Sequence, residues 1–274
     1  MPAPIIVIGS GLAGYNFGRE FRKADTETPL MYITSDDGRS YSKPMLSTGF
    51  TKSKTAEDLA MATADEMAGH LKASIRTMTH VDTINASEQT ISVAGESIKY
   101  SKLVLAVGAK CIEAPLAGDG ADDVYVINDL MDYGQFREGL AGKKKVFIIG
   151  AGLIGCEYAN DLSNGEFEVE AVDPMSTVLA NLLPEQASQA VRHALETEKN
   201  VKFHFGTVAE SVTKSGDDYE IRLKNGTTTR ADIVLSAIGV RASTALAEKA
   251  GLAINHGIVV NRELQTNDAN IYAL

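Results

Sequence analysis

A chain of 274 residues has room for two domains, each with its own core. Its 44% hydrophobic and 23% charged residues fit a soluble globular protein, and 26 Lys+Arg against 36 Asp+Glu leave a net charge of −10, which argues against nucleic acid and anionic membrane as main partners. Cys111 and Cys156 form no CxxC or CxxxxC pair, no His/Cys cluster suggests a metal, and no signal-peptide pattern or membrane-length apolar run occurs, so a reducing cytoplasm is expected.

In chain order, Ile5–Ile8 reads as a buried strand that runs into Gly9-Ser10-Gly11-Leu12-Ala13-Gly14. A helix through Phe17 and Phe21 and a second strand over Leu30–Ile33 follow. Residues 55–69 read as one helix, and short strands are expected around 79–84, 89–93 and 96–99. Lys102 to Val107 is a buried-strand candidate ending on Gly108, and the loop from Pro115 to Asp123 marks a boundary. A helix over 129–140 then leads to Val146–Ile149, which runs into Gly150-Ala151-Gly152-Leu153-Ile154-Gly155. The first βαβ pattern is repeated there: a helix through Glu157, Tyr158 and Leu162, then a strand over Val169–Val172. Between 201 and 230, short alternating segments with Asn225-Gly226 as a turn suggest an antiparallel meander. Ala231 to Gly239 then echoes the strand that ends at Gly108.

One Gly-x-Gly-x-x-Gly is weak evidence, because a tight strand–helix junction uses the same glycines. Both copies here follow a strand, open a helix, and precede an acid beyond the next strand, as dinucleotide binding requires. The glycines serve the turn, the close approach of a pyrophosphate, and helix–strand packing, with phosphate at the helix N-terminus. In the first unit the acid is Asp36, with Asp37 a close competitor; in the second it is Asp173. An acid at Asp173 favours a free ribose 2′-hydroxyl, and no Arg or Lys occurs from Pro174 to Val178, so NADH is expected over NADPH.

Two such units, each closing on a strand-Ala-x-Gly, resemble the two-dinucleotide-binding-domain flavoproteins, which include glutathione, ferredoxin and rubredoxin reductases. The segments Arg39 to Ser47 and Gly150 to Glu157 are similar to those of the ferredoxin- and rubredoxin-reductase branch. The resemblance implies an α/β fold of two Rossmann-like three-layer domains, each with a small antiparallel β-meander. An FAD-binding domain (1–113 and 242–274) would enclose an NAD(H)-binding domain (114–241). It places FAD on Gly9, Ser10, Gly11, Leu12, Ala13, Gly14, Ser35, Asp36, Lys43, Pro44, Val81, Ala106 and Gly108. It places the nicotinamide nucleotide on Gly150, Gly152, Leu153, Ile154, Gly155, Glu157, Asp173, Ala237 and Gly239.

Lys43 is then the cation beside the flavin, against the bland alternative of a surface lysine. Glu157 is the acid toward the flavin–nicotinamide junction, against that of a first-turn acid stabilised by the helix dipole. Val81 would pair through its backbone with adenine, or be plain core. The family's disulfide reductases carry Cys-x4-Cys where this chain has Ser42 to Ser47. Without those thiols, the resemblance implies hydride transfer from NADH to FAD, then single electrons to rubredoxin or a similar small iron carrier. A ferredoxin reductase, a flavin NADH oxidase and a non-catalytic nucleotide-binding fragment are the alternatives. In the family the stretch ending at Leu274 continues with Gly-Asp, whose aspartate binds the FAD ribityl chain, and then with another domain. A shortened chain, or a second chain supplying the rest, is therefore expected, with weak flavin affinity and an incomplete partner surface.

Overall fold

The computed structural model describes residues 2–274. The chain divides into two compact units, Met1–Ser42 with Ala60–Lys110 and Arg241–Leu274, and Lys43–Leu59 with Cys111–Val240.

The first unit is built on a five-stranded parallel sheet, ordered Ile271–Ala273, Lys102–Leu105, Ile5–Ile8, Leu30–Ile33, Ala73–Arg76. Its central strand is apolar throughout because both of its faces are covered. Ile6 and Ile8 join Ile84, Ile91 and Val93 of an antiparallel meander (Thr83–Asn85, Thr90–Val93, Glu96–Lys99). On the other face Val7, Tyr32 and Val104 meet Tyr15 of the helix Leu12–Ala24 and Met67 and Leu71 of the helix Ala64–Leu71. Each fully buried side chain of this size contributes about 1.5–3 kcal/mol.

Two expectations fail here. Residues 55–69 do not form one helix: a short helix Ala56–Leu59 and a strand Ala60–Ala62 precede Ala64–Leu71. Thr63 begins the later helix with a capping box, its side chain accepting from the Glu66 N–H while the Glu66 carboxylate accepts from the Thr63 N–H. The first strand of the meander starts at Thr83, so Val81 lies before it rather than in it.

The second unit repeats the plan with four parallel strands, ordered Lys202–Phe205, Glu168–Asp173, Lys145–Ile149, Ile233–Ser236. Helices Leu130–Gly139, Leu153–Asn164 and Glu185–Thr197 cover one face around Phe136, Tyr158, Leu162 and Leu195. A meander (Ala209–Ser215, Asp218–Leu223, Thr228–Ala231) covers the other, with Val212, Ile221 and Leu223 against Phe147 and Val172. Asn225-Gly226 forms its turn, Gly226 at φ +88°. Glu170 faces the meander from the sheet, bonded to Lys145 (2.9 Å), His204 (3.2 Å) and Thr229 (2.9 Å), and these partners outweigh burial to hold its carboxyl down at about 2.

The segment Lys43–Leu59 belongs to the second unit because the helix Leu153–Asn164 grips it. The fully buried Asp161 carboxylate accepts the Phe50 N–H (3.0 Å) and the Thr51 N–H (2.7 Å). The Phe50 ring lies edge-on to Phe167, Tyr133 and Phe136, with the Arg137 guanidinium 4.4 Å above it.

Candidate nucleotide-binding sites

The two glycine motifs solve one steric problem twice. Gly9 (φ +102°) and Gly150 (φ +110°) adopt the left-handed region, and a side chain on either would strike the carbonyl of Ala106 or Ala237. A methyl on Gly14 or Gly155 would collide with the Gly9 or Gly150 carbonyl, so helix and strand close on these glycines. The middle glycines differ. Gly11 and Gly152 have ordinary φ values of −61° and −74°, and a Cβ on either would meet no heavy atom within 4 Å. Neither backbone strain nor packing accounts for glycine there. Both glycines are the N-caps of their helices, a position glycine suits better than alanine, and both leave the backbone open to a ligand.

The helices opened by these motifs carry the same sign. Leu12–Ala24 and Leu153–Asn164 start with no side-chain cap and no acid in the first turn. By contrast, Ala64–Leu71 and Leu130–Gly139 each begin with a complete capping box. The two motif helices therefore present free N–H groups and the positive end of the dipole, which suits a pyrophosphate. Leu12 and Leu153 stand exposed at matching positions of the two turns, and Ala13 is exposed beside Leu12.

In the first unit the structure separates the two candidate acids. Asp36 Oδ1 accepts from Ser10 Oγ (2.8 Å), Thr34 Oγ1 (2.8 Å) and the Gly38 N–H (2.9 Å), while Oδ2 has no partner among the described residues. Asp37 is taken by Arg39, whose Nε donates at 2.7 Å. Asp36 is thus tied to the glycine turn and keeps one oxygen that could accept a further hydrogen bond. Ser10 is buried and its hydroxyl is spent on Thr34 and Asp36. Ser35 is exposed beside them, and Gly108 sits at φ +62° after Ala106. Val81 buries its side chain in the core, yet among the described residues its N–H and C=O have no protein partner, the pattern that backbone pairing with an adenine edge needs.

In the second unit a cavity of about 830 Å³ opens at the glycine turn. It is lined by Gly150, Gly152, Leu153, Ile154, Asp173, Ala237 and Gly239. Gly155 packs beneath the turn instead, and Lys43, Pro44 and Glu157 lie outside the lining. Asp173 accepts the Ala151 N–H at Oδ2 (2.7 Å) and the Met175 N–H at Oδ1 (2.8 Å), which fixes the carboxylate at the strand end with lone pairs to spare. Sequence reasoning missed Met175, Leu182 and Val208, large apolar side chains that stay exposed in the cavity wall and suit a flat aromatic base. It also missed Lys224, the one basic residue of the lining, which the meander delivers from far along the chain.

Lys43 Nζ donates to Asn128 Oδ1 (2.8 Å), and Ser47 Oγ donates to Glu157 Oε2 (2.6 Å). Glu157 is the fifth residue of its helix, outside the first turn, so the helix-dipole reading of it falls away. Cys156 is buried against the Ala151 carbonyl, and burial pushes its thiol up to about 12, so it holds no thiolate for chemistry. Burial likewise raises the Cys111 thiol. Among the described residues no cluster of His, Cys, Asp and Glu could hold a metal, and no helix is long and apolar enough to cross a membrane.

Two Rossmann-type units, each with an open glycine cradle and an acid at the next strand end, define a protein that binds two dinucleotides. The model of the pyridine nucleotide-disulphide oxidoreductase family matches residues 3–274, and the chain belongs to that family. It is 50% identical over 273 residues to the rubredoxin-NAD(+) reductase of Alcanivorax borkumensis, covering 99% of this chain and 71% of that protein. It is 44% identical over 279 residues to the rubredoxin-NAD(+) reductase of Acinetobacter baylyi, covering 99% of this chain and 71% of that protein. Among solved structures, a ferredoxin reductase from Rhodopseudomonas palustris superposes with a TM-score of 0.89 at 25% identity, over 99% of this chain and 67% of that one. The chain is an oxidoreductase that uses a pyridine nucleotide, with FAD and NAD(H) as its cofactors.

Proposed function

We propose that this chain is an FAD-dependent NADH:rubredoxin oxidoreductase, with FAD in the first unit and NADH in the second. The observation that carries the reading is the pair of uncapped glycine cradles, one tied to Asp36 and the other opening with Asp173 into a cavity of about 830 Å³. Bound flavin supplies the chemistry that accepts a hydride from NADH, leaving NAD+, and releases the two electrons singly to two one-electron acceptors, with the proton going to solvent.

The chain's own residues bind and orient. The N–H groups at the start of Leu12–Ala24 and Leu153–Asn164 hold the two pyrophosphates. Asp36 and Asp173 accept from ribose hydroxyls, and the negative charge of Asp173 repels a 2′-phosphate, favouring NADH. Lys43 supplies positive charge to the flavin ring. Glu157 serves the nicotinamide side, its carboxylate held by Ser47. Ser42 and Ser47 offer no thiols, so those two positions could not relay electrons as a dithiol pair. The rubredoxin-NAD(+) reductases of Alcanivorax and Acinetobacter support rubredoxin as the one-electron acceptor.

The test is spectroscopic. The protein is saturated with FAD under anaerobic conditions, NADH is added, and then oxidised rubredoxin. Bleaching of the flavin band by NADH and its return with rubredoxin are expected. A flavin band that NADH leaves unchanged overturns the reading. Return of the band with oxygen but not with rubredoxin replaces it with an NADH oxidase.

A further inference from the structure

Five buried side-chain hydroxyls have no hydrogen-bond partner among the described residues: Tyr100, Ser163, Thr177, Ser188 and Ser236. Of these only Thr177 lines the cavity of the second unit. The residue is 6% exposed, so its Oγ1 is withheld from bulk water as well as from protein. An unpaired buried hydroxyl is destabilising and rare, and one in a cavity wall needs an explanation.

The surrounding loop keeps Thr177 in place. The Ala151 N–H donates to Asp173 Oδ2 (2.7 Å), and the Leu179 N–H donates to the Ala151 carbonyl (2.9 Å). The loop is therefore tied to the glycine turn on both sides of Thr177, and Leu179 holds a left-handed φ of +53° to make the second tie. Non-glycine residues in that region are strained and concentrate where structure serves a ligand. Thr177 thus lies on the cavity wall in the loop between Asp173 and Leu179, both of which are bonded to Ala151 of the glycine turn. Rotation between staggered χ1 wells re-aims the hydroxyl, and at the chiral Cβ the methyl moves with it to the next well.

We propose that Thr177 is a nucleotide-binding residue, whose hydroxyl turns into the cavity and hydrogen-bonds the ribose–pyrophosphate portion of the adenosine half of NADH. This rests on the assignment of the cavity to NADH and adds a contact that the glycine motif and Asp173 do not supply. The bond gives the bound state a partner for a hydroxyl that has none among the described residues.

The signature is a change of opposite sign in affinity and stability. Thr177→Val removes the hydroxyl at constant shape, and Thr177→Ser keeps it. Dissociation constants for NADH and for ADP-ribose are measured by calorimetry, and thermal unfolding is recorded without nucleotide. For Thr177→Val, affinity for both ligands falls about tenfold, the effect of one lost hydrogen bond that leaves its partner unsatisfied. The free variant melts at the same temperature as the parent or higher, and Thr177→Ser binds like the parent. If the parent binds both ligands and Thr177→Val binds them equally well, the contact is overturned and the cavity assignment stands. A fall in melting temperature that accompanies the lost affinity also overturns it, since that marks a structural hydroxyl. If the parent binds neither NADH nor ADP-ribose, the cavity assignment falls and takes this contact with it.

Discussion

Gly152→Ala separates ligand recognition from folding. The Gly152 backbone has φ −74°, which alanine adopts freely, and the added methyl meets no heavy atom within 4 Å. Alanine restricts the unfolded chain, a gain of about 0.4–1 kcal/mol, and is a poorer helix N-cap than glycine, a loss of similar size. Stability should therefore stay within about 1 kcal/mol of the parent. The methyl stands where a phosphate must approach the helix N–H groups. Loss of two charge-assisted hydrogen bonds costs about 3 kcal/mol or more, so NADH affinity should fall at least about a hundredfold. Gly155→Ala is the contrasting variant, because its methyl collides with the Gly150 carbonyl. It should lose about 1–3 kcal/mol of stability to overpacking. Urea unfolding gives the stabilities and calorimetric titration gives the affinities. Parental NADH affinity in Gly152→Ala would mean that no phosphate approaches there, and destabilisation as large as that of Gly155→Ala would mean that the position serves packing.

Asp173→Ala should weaken NADH binding and narrow the preference over NADPH by about tenfold, since it removes both a ribose acceptor and a repelling charge; parallel titrations with the two nucleotides check this. Glu170 is paired in the folded state, with its carboxyl lowered from 4.5 to about 2. Its contribution is fully present above its unfolded value and is lost as pH falls from about 4.5 towards 2. At most about 3 kcal/mol is at stake, and Glu170→Gln should flatten the acid limb of a stability–pH curve measured by urea unfolding. Native protein should react with a thiol reagent at Cys111 and leave Cys156 unmodified until it unfolds, since Cys156 is 7% exposed and its thiol is raised to about 12; mass spectrometry of the labelled peptides reads the result.

Much of the fold was legible because its signals are local. An apolar strand, a glycine turn and an amphipathic helix occur within a short stretch, and their recurrence at Ile5 and Val146 announced two units. The meanders showed through alternation and through Asn225-Gly226. Legibility failed where partners are distant. The edge strands Ala73–Arg76 and Ile271–Ala273 exist because Leu30–Ile33 and Lys102–Leu105 offer them hydrogen bonds, and nothing in their own composition marks them. Residues 55–69 divide because Thr63 and Glu66 form a capping box that starts a new helix, a signal local to the sequence.

At the sites, glycines and acids could be read in advance because their chemistry ties them to fixed positions in a βαβ turn. Val208 and Lys224 could not, because only the folded meander brings them to the cavity, whereas Met175 follows Asp173 by two residues. Nor could the attachment of Lys43–Leu59 to the second unit be read. It depends on Asp161, which looks like an ordinary helix acid until its carboxylate is seen holding the Phe50 and Thr51 amides.

In the function proposed, two cradles of one design serve two different dinucleotides. The most direct test is a binding matrix, in which the parent, Gly11→Ala and Gly152→Ala are each titrated with FAD and with NADH. Gly11→Ala should lose FAD and keep NADH, and Gly152→Ala should lose NADH and keep FAD. Loss of both nucleotides from either folded variant, or displacement of FAD by NADH from the parent, would contradict the proposed function.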